Sequence, residues 1–88
     1  RRIHVFIWRY GGQQVYITGQ WDDWSGNTMR MQYDAEYEVF RTVVLLDSSV
    51  DWQFKFIVDG TWRCSLDYAT ITDSAGNVNN VLYGEQSD

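Results

Sequence analysis

Apolar and polar residues alternate most cleanly over residues 52–64, WQFKFIVDGTWRC, where two strand-like runs meet at Asp59-Gly60. An Asp-Gly pair between apolar runs predicts a two-residue type I′ hairpin, because both central positions need φ > 0 and Gly adopts that freely. The turn fixes the register: Val58 faces Thr61, Ile57 faces Trp62, and successive side chains alternate between faces. Trp52, Phe54, Phe56 and Val58 form a core-seeking face. Gln53, Lys55 and Ile57 point the other way, beside Trp62, so a cation and a flat aromatic share the outer surface, as on a recognition face.

The same reading divides the rest of the chain. Residues 3–8, IHVFIW, predict a strand whose two faces, Ile3/Val5/Ile7 and His4/Phe6/Trp8, are both largely apolar, so alternation leaves the inward face open. Residues 14–18 predict a second strand, stopped by Gly19, and a polar loop holding Trp21 and Trp24 follows. Residues 28–33 predict a third, with Met29 and Met31 on one face. Residues 37–46 predict a fourth, too apolar for an exposed edge, closed by Asp47-Ser48-Ser49. After the hairpin, a loop-like stretch carries a short strand at 70–72, and residues 77–83 predict the last strand. Short strands at turn intervals of about 8 to 12 residues, without helical periodicity, predict an all-β fold. The expected architecture is an Ig-like antiparallel β-sandwich of about seven short strands, one domain over 1–84 with a flexible tail at 85–88.

Composition narrows the function. The formal net charge of the 88 residues is −5, with Lys and Arg scattered. The attraction to phosphates that drives nucleic-acid binding is missing, so no nucleic-acid partner is expected. No apolar run of membrane-spanning length occurs, and no membrane partner is expected. The single Cys64 cannot make an internal disulfide, which favours a reducing compartment and a cytoplasmic location. The chain starts at Arg1 without Met and is read as a domain of a larger parent. With one His and one Cys, no zinc site can be completed, and His4 is expected to be satisfied or solvent-facing. Asp22 and Asp23 are adjacent and diverge, whereas glycosidase carboxylates face each other across a sugar, and no EF-hand spacing follows. No catalytic residue, metal or cofactor is expected.

What the chain offers instead is aromatic surface, 17% Phe, Trp and Tyr, beside amide and amine donors. The C–H face of a sugar ring stacks on indole while its hydroxyls seek polar side chains; Trp24, Trp62, Lys55, Asn77 and Asn79 supply both. The competing reading for each Trp is a lid folded over the core. Two further readings stand beside carbohydrate binding. One is a protein-docking sandwich without sugar binding, using Val5 and Ile7 if Phe6 and Trp8 face inward. The other is a spacer with no ligand.

Three runs in order, VYITGQWDDWS (15–25), WQFKFIVDGTW (52–62) and AGNVNNVL (75–82), resemble the glycogen-binding domain of AMP-activated protein kinase β subunits, in carbohydrate-binding module family 48. The resemblance implies a noncatalytic module that binds α-1,4-linked glucan, as in glycogen, starch and maltooligosaccharides, and tethers a parent β-type subunit whose partner is a kinase catalytic subunit. It places Trp24 and Trp62 as stacking residues, Lys55 as an amine for sugar hydroxyls, and Asn79 as the residue completing the pocket. Asn77 stands where the family has Thr, and Ala75 where it has a Leu inserted into the ring of glucoses. The smaller Ala75 implies lower affinity or a different preferred chain shape. No Ser lies between Gly26 and Asp47, which leaves regulation by phosphorylation there without its residue. Trp21 stands where the family often has Phe and is expected to pack in the core.

Overall fold

A computed structural model describes residues 1–85. Eight strands form it: β1 (Arg2–Trp8), β2 (Val15–Gly19), β3 (Gln32–Asp34), β4 (Val39–Leu46), β5 (Trp52–Val58), β6 (Thr61–Arg63), β7 (Ala69–Thr72) and β8 (Val78–Leu82). They make two antiparallel sheets, one ordered β1-β4-β3 and the other β2-β5-β8-β7, with β6 also paired to β5. The sandwich expected from alternation is the fold observed. Asp59 and Gly60 both have positive φ, 50° and 82°, and the hairpin keeps the predicted register, Ile57 opposite Trp62 and Val58 opposite Thr61.

The ambiguity of the first strand resolves in favour of Phe6 and Trp8, which are both 1% exposed and join Phe40, Phe54, Phe56, Ile17 and Val15 in one core. Aromatic edges fill it: Phe6 meets Phe54 at 4.9 Å and Trp8 meets Phe56 at 5.0 Å between ring centroids. Trp21 packs on this cluster, 5.5 Å from Phe6, as expected of a core residue. Asn80 is fully buried within it. Its Oδ1 accepts from the Ser65 amide at 2.7 Å and its Nδ2 donates to the Ser65 carbonyl at 3.0 Å, so the polar group is satisfied where water cannot reach.

The third strand differs from its prediction over 28–33. Its first half pairs with β2, where the Ile17 amide donates to the Met29 carbonyl and the Met31 amide to the Val15 carbonyl. Its second half, Gln32–Asp34, pairs with β4 in the opposite sheet. The segment crosses the sandwich at the buried Met31, so only three residues remain as a strand. The fourth strand begins at Val39, two residues late, because Glu38 turns the chain at φ 55°. It lies centrally, between β1 and β3, as its apolar sequence requires.

His4 departs from the expectation of a satisfied or solvent-facing ring. It faces inward near Phe6, and its Nε2 is shielded and bonds no group among the described residues. At the C-terminal end Glu85 is held, its amide donating to the Ser48 carbonyl at 2.7 Å and its carboxylate pairing with Arg2. The rest of the expected tail, 86–88, lies outside the described residues.

Candidate functional site

The site forms where one edge of β5 changes partner. β2 pairs with Phe54 through Val58 on one side. On the other, β6 pairs with Phe56 to Val58 and β8 with Trp52 to Phe54. Lys55 stands between these two pairings, and its side chain points away from the buried Phe54 and Phe56 to the outer face. An open cavity of about 400 Å³ lies over this junction, lined by Trp24, Lys55, Trp62, Asp73, Asn77 and Asn79. All five residues singled out in the sequence come together here. Asp73 was not among them.

The turn and two loops supply the walls. Trp62, on β6, is 46% exposed and leans on Ile57 and on the loop at Gly26. Gly26 has φ +78°, and a Cβ there would meet Ile57 Cδ1 at 3.0 Å and Trp62 Cζ2 at 3.3 Å, so only glycine lets the ring lie down. Trp24 is half-buried and, like Asp23 before it, holds a left-handed backbone, φ 60° and 52°. A Trp in that conformation needs support from its surroundings. Asp22 provides it. Its Oδ1 accepts from Thr18 Oγ1 and the Gly19 amide, its Oδ2 from Thr28 Oγ1 and Ser25 Oγ, at 2.7 to 3.2 Å. Desolvation pushes the Asp22 carboxyl upward, but these bonds outweigh it and keep its pKa below the ordinary carboxylate value. The sequence reading dismissed Asp22 as a catalytic or calcium group, and it missed the carboxylate as the hub of the Trp24 loop.

The opposite wall is the turn from β7 to β8. Asn79 is 4% exposed, and its Nδ2 donates to Gln53 Oε1 at 3.0 Å and to Asp73 Oδ2 at 3.3 Å. Asn77 is exposed at the rim and also donates its Nδ2 to Asp73. Ala75 belongs to the same turn, its amide donating to Asp73 Oδ1 at 3.0 Å. In chemical terms the cavity offers two indole surfaces, one ammonium donor, and amide and carboxylate acceptors. That set suits a neutral, polyhydroxylated ring better than a phosphate.

The description "glycogen recognition site of AMP-activated protein kinase" matches residues 3–88. The chain belongs to this glycogen-recognition family. Among relatives of the module, the AMP-activated protein kinase subunit beta of Schizosaccharomyces pombe is 38% identical over 84 residues, covering 96% of this chain and 26% of that protein. The SNF1-related protein kinase regulatory subunit beta-2 of Arabidopsis thaliana is 31% identical over 78 residues, covering 89% and 26%. The Cruciform DNA-recognizing protein 1 of Saccharomyces cerevisiae RM11-1a is 38% identical over 81 residues, covering 90% and 17%. The glycogen-recognition module thus spans about a quarter or less of these three relatives. Among the described residues no helix is long and apolar enough to cross a membrane.

Proposed function

We propose that the module binds α-1,4-linked glucan in the cavity over β5, without catalysing a reaction, and tethers a parent β-type kinase subunit to glycogen or starch. Trp24 and Trp62 stack on successive glucose rings, whose helical curvature lets them lean on two indoles. Lys55 donates to sugar hydroxyls, and Asn77 and Asn79 fix the remaining rim. The parent's partner in this reading is a kinase catalytic subunit, and its location the cytoplasm. The observation that supports it is the convergence of Trp24, Lys55, Trp62, Asn77 and Asn79, distant in sequence, on one cavity. At about 1 kcal/mol per stack with a few hydrogen bonds, the affinity falls between roughly millimolar and tens of micromolar, raised by avidity along a polymer.

The relative named for cruciform DNA does not redirect this reading, because 12 acidic side chains outnumber 7 basic ones and, among the described residues, Lys55 is the one cation on the cavity wall. A protein-docking reading draws on another observation. With Phe6 and Trp8 inward, Ile3, Val5, Ile7, Val43 and Leu45 are exposed on the outer face of the β1-β4-β3 sheet. Titration with β-cyclodextrin and maltoheptaose, followed by Trp fluorescence, separates the two. Saturation by the native protein and loss of at least about tenfold in Trp62→Ala is the expected result. A folded native protein that gives no signal at several millimolar sugar rules out the glucan reading.

A further inference from the structure

The turn that carries Asn77 and leads into Asn79 on β8 is organised by a side chain that neither pattern nor resemblance pointed to. Asp73 Oδ1 accepts from the amides of Ala75 and Asn77, at 3.0 and 2.9 Å. Its Oδ2 accepts from Nδ2 of Asn77 and Nδ2 of Asn79, both at 3.3 Å. Backbone bonds close the same turn, from the Asp73 amide to the Asn77 carbonyl and from the Gly76 amide to the Asp73 carbonyl. The N–H groups, the Asn77 amide foremost, hold the Asp73 carboxyl below its ordinary range, so it is an anion at neutral pH.

A primary amide has two N–H donors, both on its nitrogen, and a carbonyl oxygen that only accepts. Asn79 has placed its donors on Gln53 Oε1 and Asp73 Oδ2. It therefore meets a ligand through Oδ1. Asn77 commits one N–H to Asp73 Oδ2 and keeps the other at the rim with its Oδ1. Lys55, at the junction itself, can only donate.

Building on the glucan reading above, we propose that Asp73 is a positioning residue that sets the polarity of the pocket. It draws both N–H groups of Asn79 back from the cavity, leaving that oxygen to accept from a sugar hydroxyl, and holds one N–H of Asn77, whose oxygen and second N–H stay at the rim. The recognised glucose thus presents a hydroxyl hydrogen to Asn79 and a hydroxyl oxygen to Lys55. Replacing the hydroxyl that meets Asn79 by fluorine, which cannot donate, weakens binding as much as removing it. At the hydroxyl that meets Lys55, fluorine retains part of the affinity.

The test compares the native module with Asp73→Asn, Asp73→Ala and Trp62→Ala. Asp73→Asn keeps Oδ1 for the Ala75 and Asn77 amides but exchanges the second oxygen for a donor, which repels both asparagine nitrogens. The expected result is a protein that still folds, with a melting temperature lowered by several degrees and β-cyclodextrin binding about five- to tenfold weaker. The side-chain amide protons of Asn79 are expected to exchange slowly in the native protein and fast in this variant, by NMR. Asp73→Ala removes the turn's acceptors as well and loses more affinity. If binding is lost in Trp62→Ala while Asp73→Asn matches the native protein in affinity and in Asn79 exchange, the inference falls and the glucan reading stands. If the native module binds no β-cyclodextrin, both fall together.

Discussion

Gly26 is the position where one methyl group separates stability from geometry. Gly26→Ala is strained by its φ of +78° and pushes against Ile57 and Trp62, which predicts a loss of about 1–2 kcal/mol together with weaker glucan binding as the indole is displaced. Denaturant unfolding and sugar titration of the same variant check both. Asp22→Ala strands the donors of Thr18, Gly19, Ser25 and Thr28. It is expected to cost about 2 kcal/mol and to release Trp24 from its left-handed backbone, read as a red-shifted Trp emission and a weaker titration. His4 behaves in the opposite sense. Its Nε2 is shielded without a partner, so His4→Leu removes a polar atom that contributes nothing and should raise stability by about 1 kcal/mol; a lower melting temperature would show that the imidazole is bonded in solution.

At the scale of elements, what could be read from the chain follows how local its cause is. The β5–β6 hairpin was legible because Asp59-Gly60 and the alternation around it specify turn, register and faces within thirteen residues, 52–64. Lys55 and Trp62 followed at once. The third strand was misplaced because its segment changes partner between Met31 and Gln32, and a change of partner leaves no trace in a period of two. Which face of β1 was buried depended on Trp21, Phe54 and Tyr68 closing over Phe6, all distant in sequence. The two organising carboxylates, Asp22 and Asp73, were invisible for a similar reason: an Asp in a polar loop reads as solvated until the donors around it are placed. The hairpin also isolates backbone strain from packing. Gly60 has φ +82° with open space around a hypothetical Cβ, so Gly60→Ala should cost about 1 kcal/mol by conformation alone and leave glucan affinity unchanged.

On the scale of the whole molecule, the two sheets are fastened at one end by Asp67, which accepts from Arg9 Nε and Nη2 at 2.8 and 2.7 Å and from the Tyr10 hydroxyl at 2.7 Å. The bonds from Arg9, then that from Tyr10, lower the Asp67 carboxyl to about 2. A depressed folded-state pKa stabilises the fold above the unfolded-state value of about 3.9, and that contribution is lost as pH falls toward about 2. Melting curves of native protein and Asp67→Asn should therefore differ at neutral pH and converge in acid. Parallel curves down to pH 2 would exclude the clamp. The apolar outer face of β1 and β4 belongs to one sheet and the sugar cavity to the other, so a charge introduced by Val43→Lys should leave the titration untouched.

The junction at Lys55 has a mechanical side. β5 is bonded along both edges, by β2 on one side and by β6 and β8 in succession on the other. A polymer held through Lys55 and Asn79 pulls on β5 and β8, each bonded along both edges, while Trp62 rests on β6, which pairs with β5 alone. Pulled by its sugar in a force spectrometer, the module should release the polysaccharide before any strand gives way, detaching intact and ready to rebind.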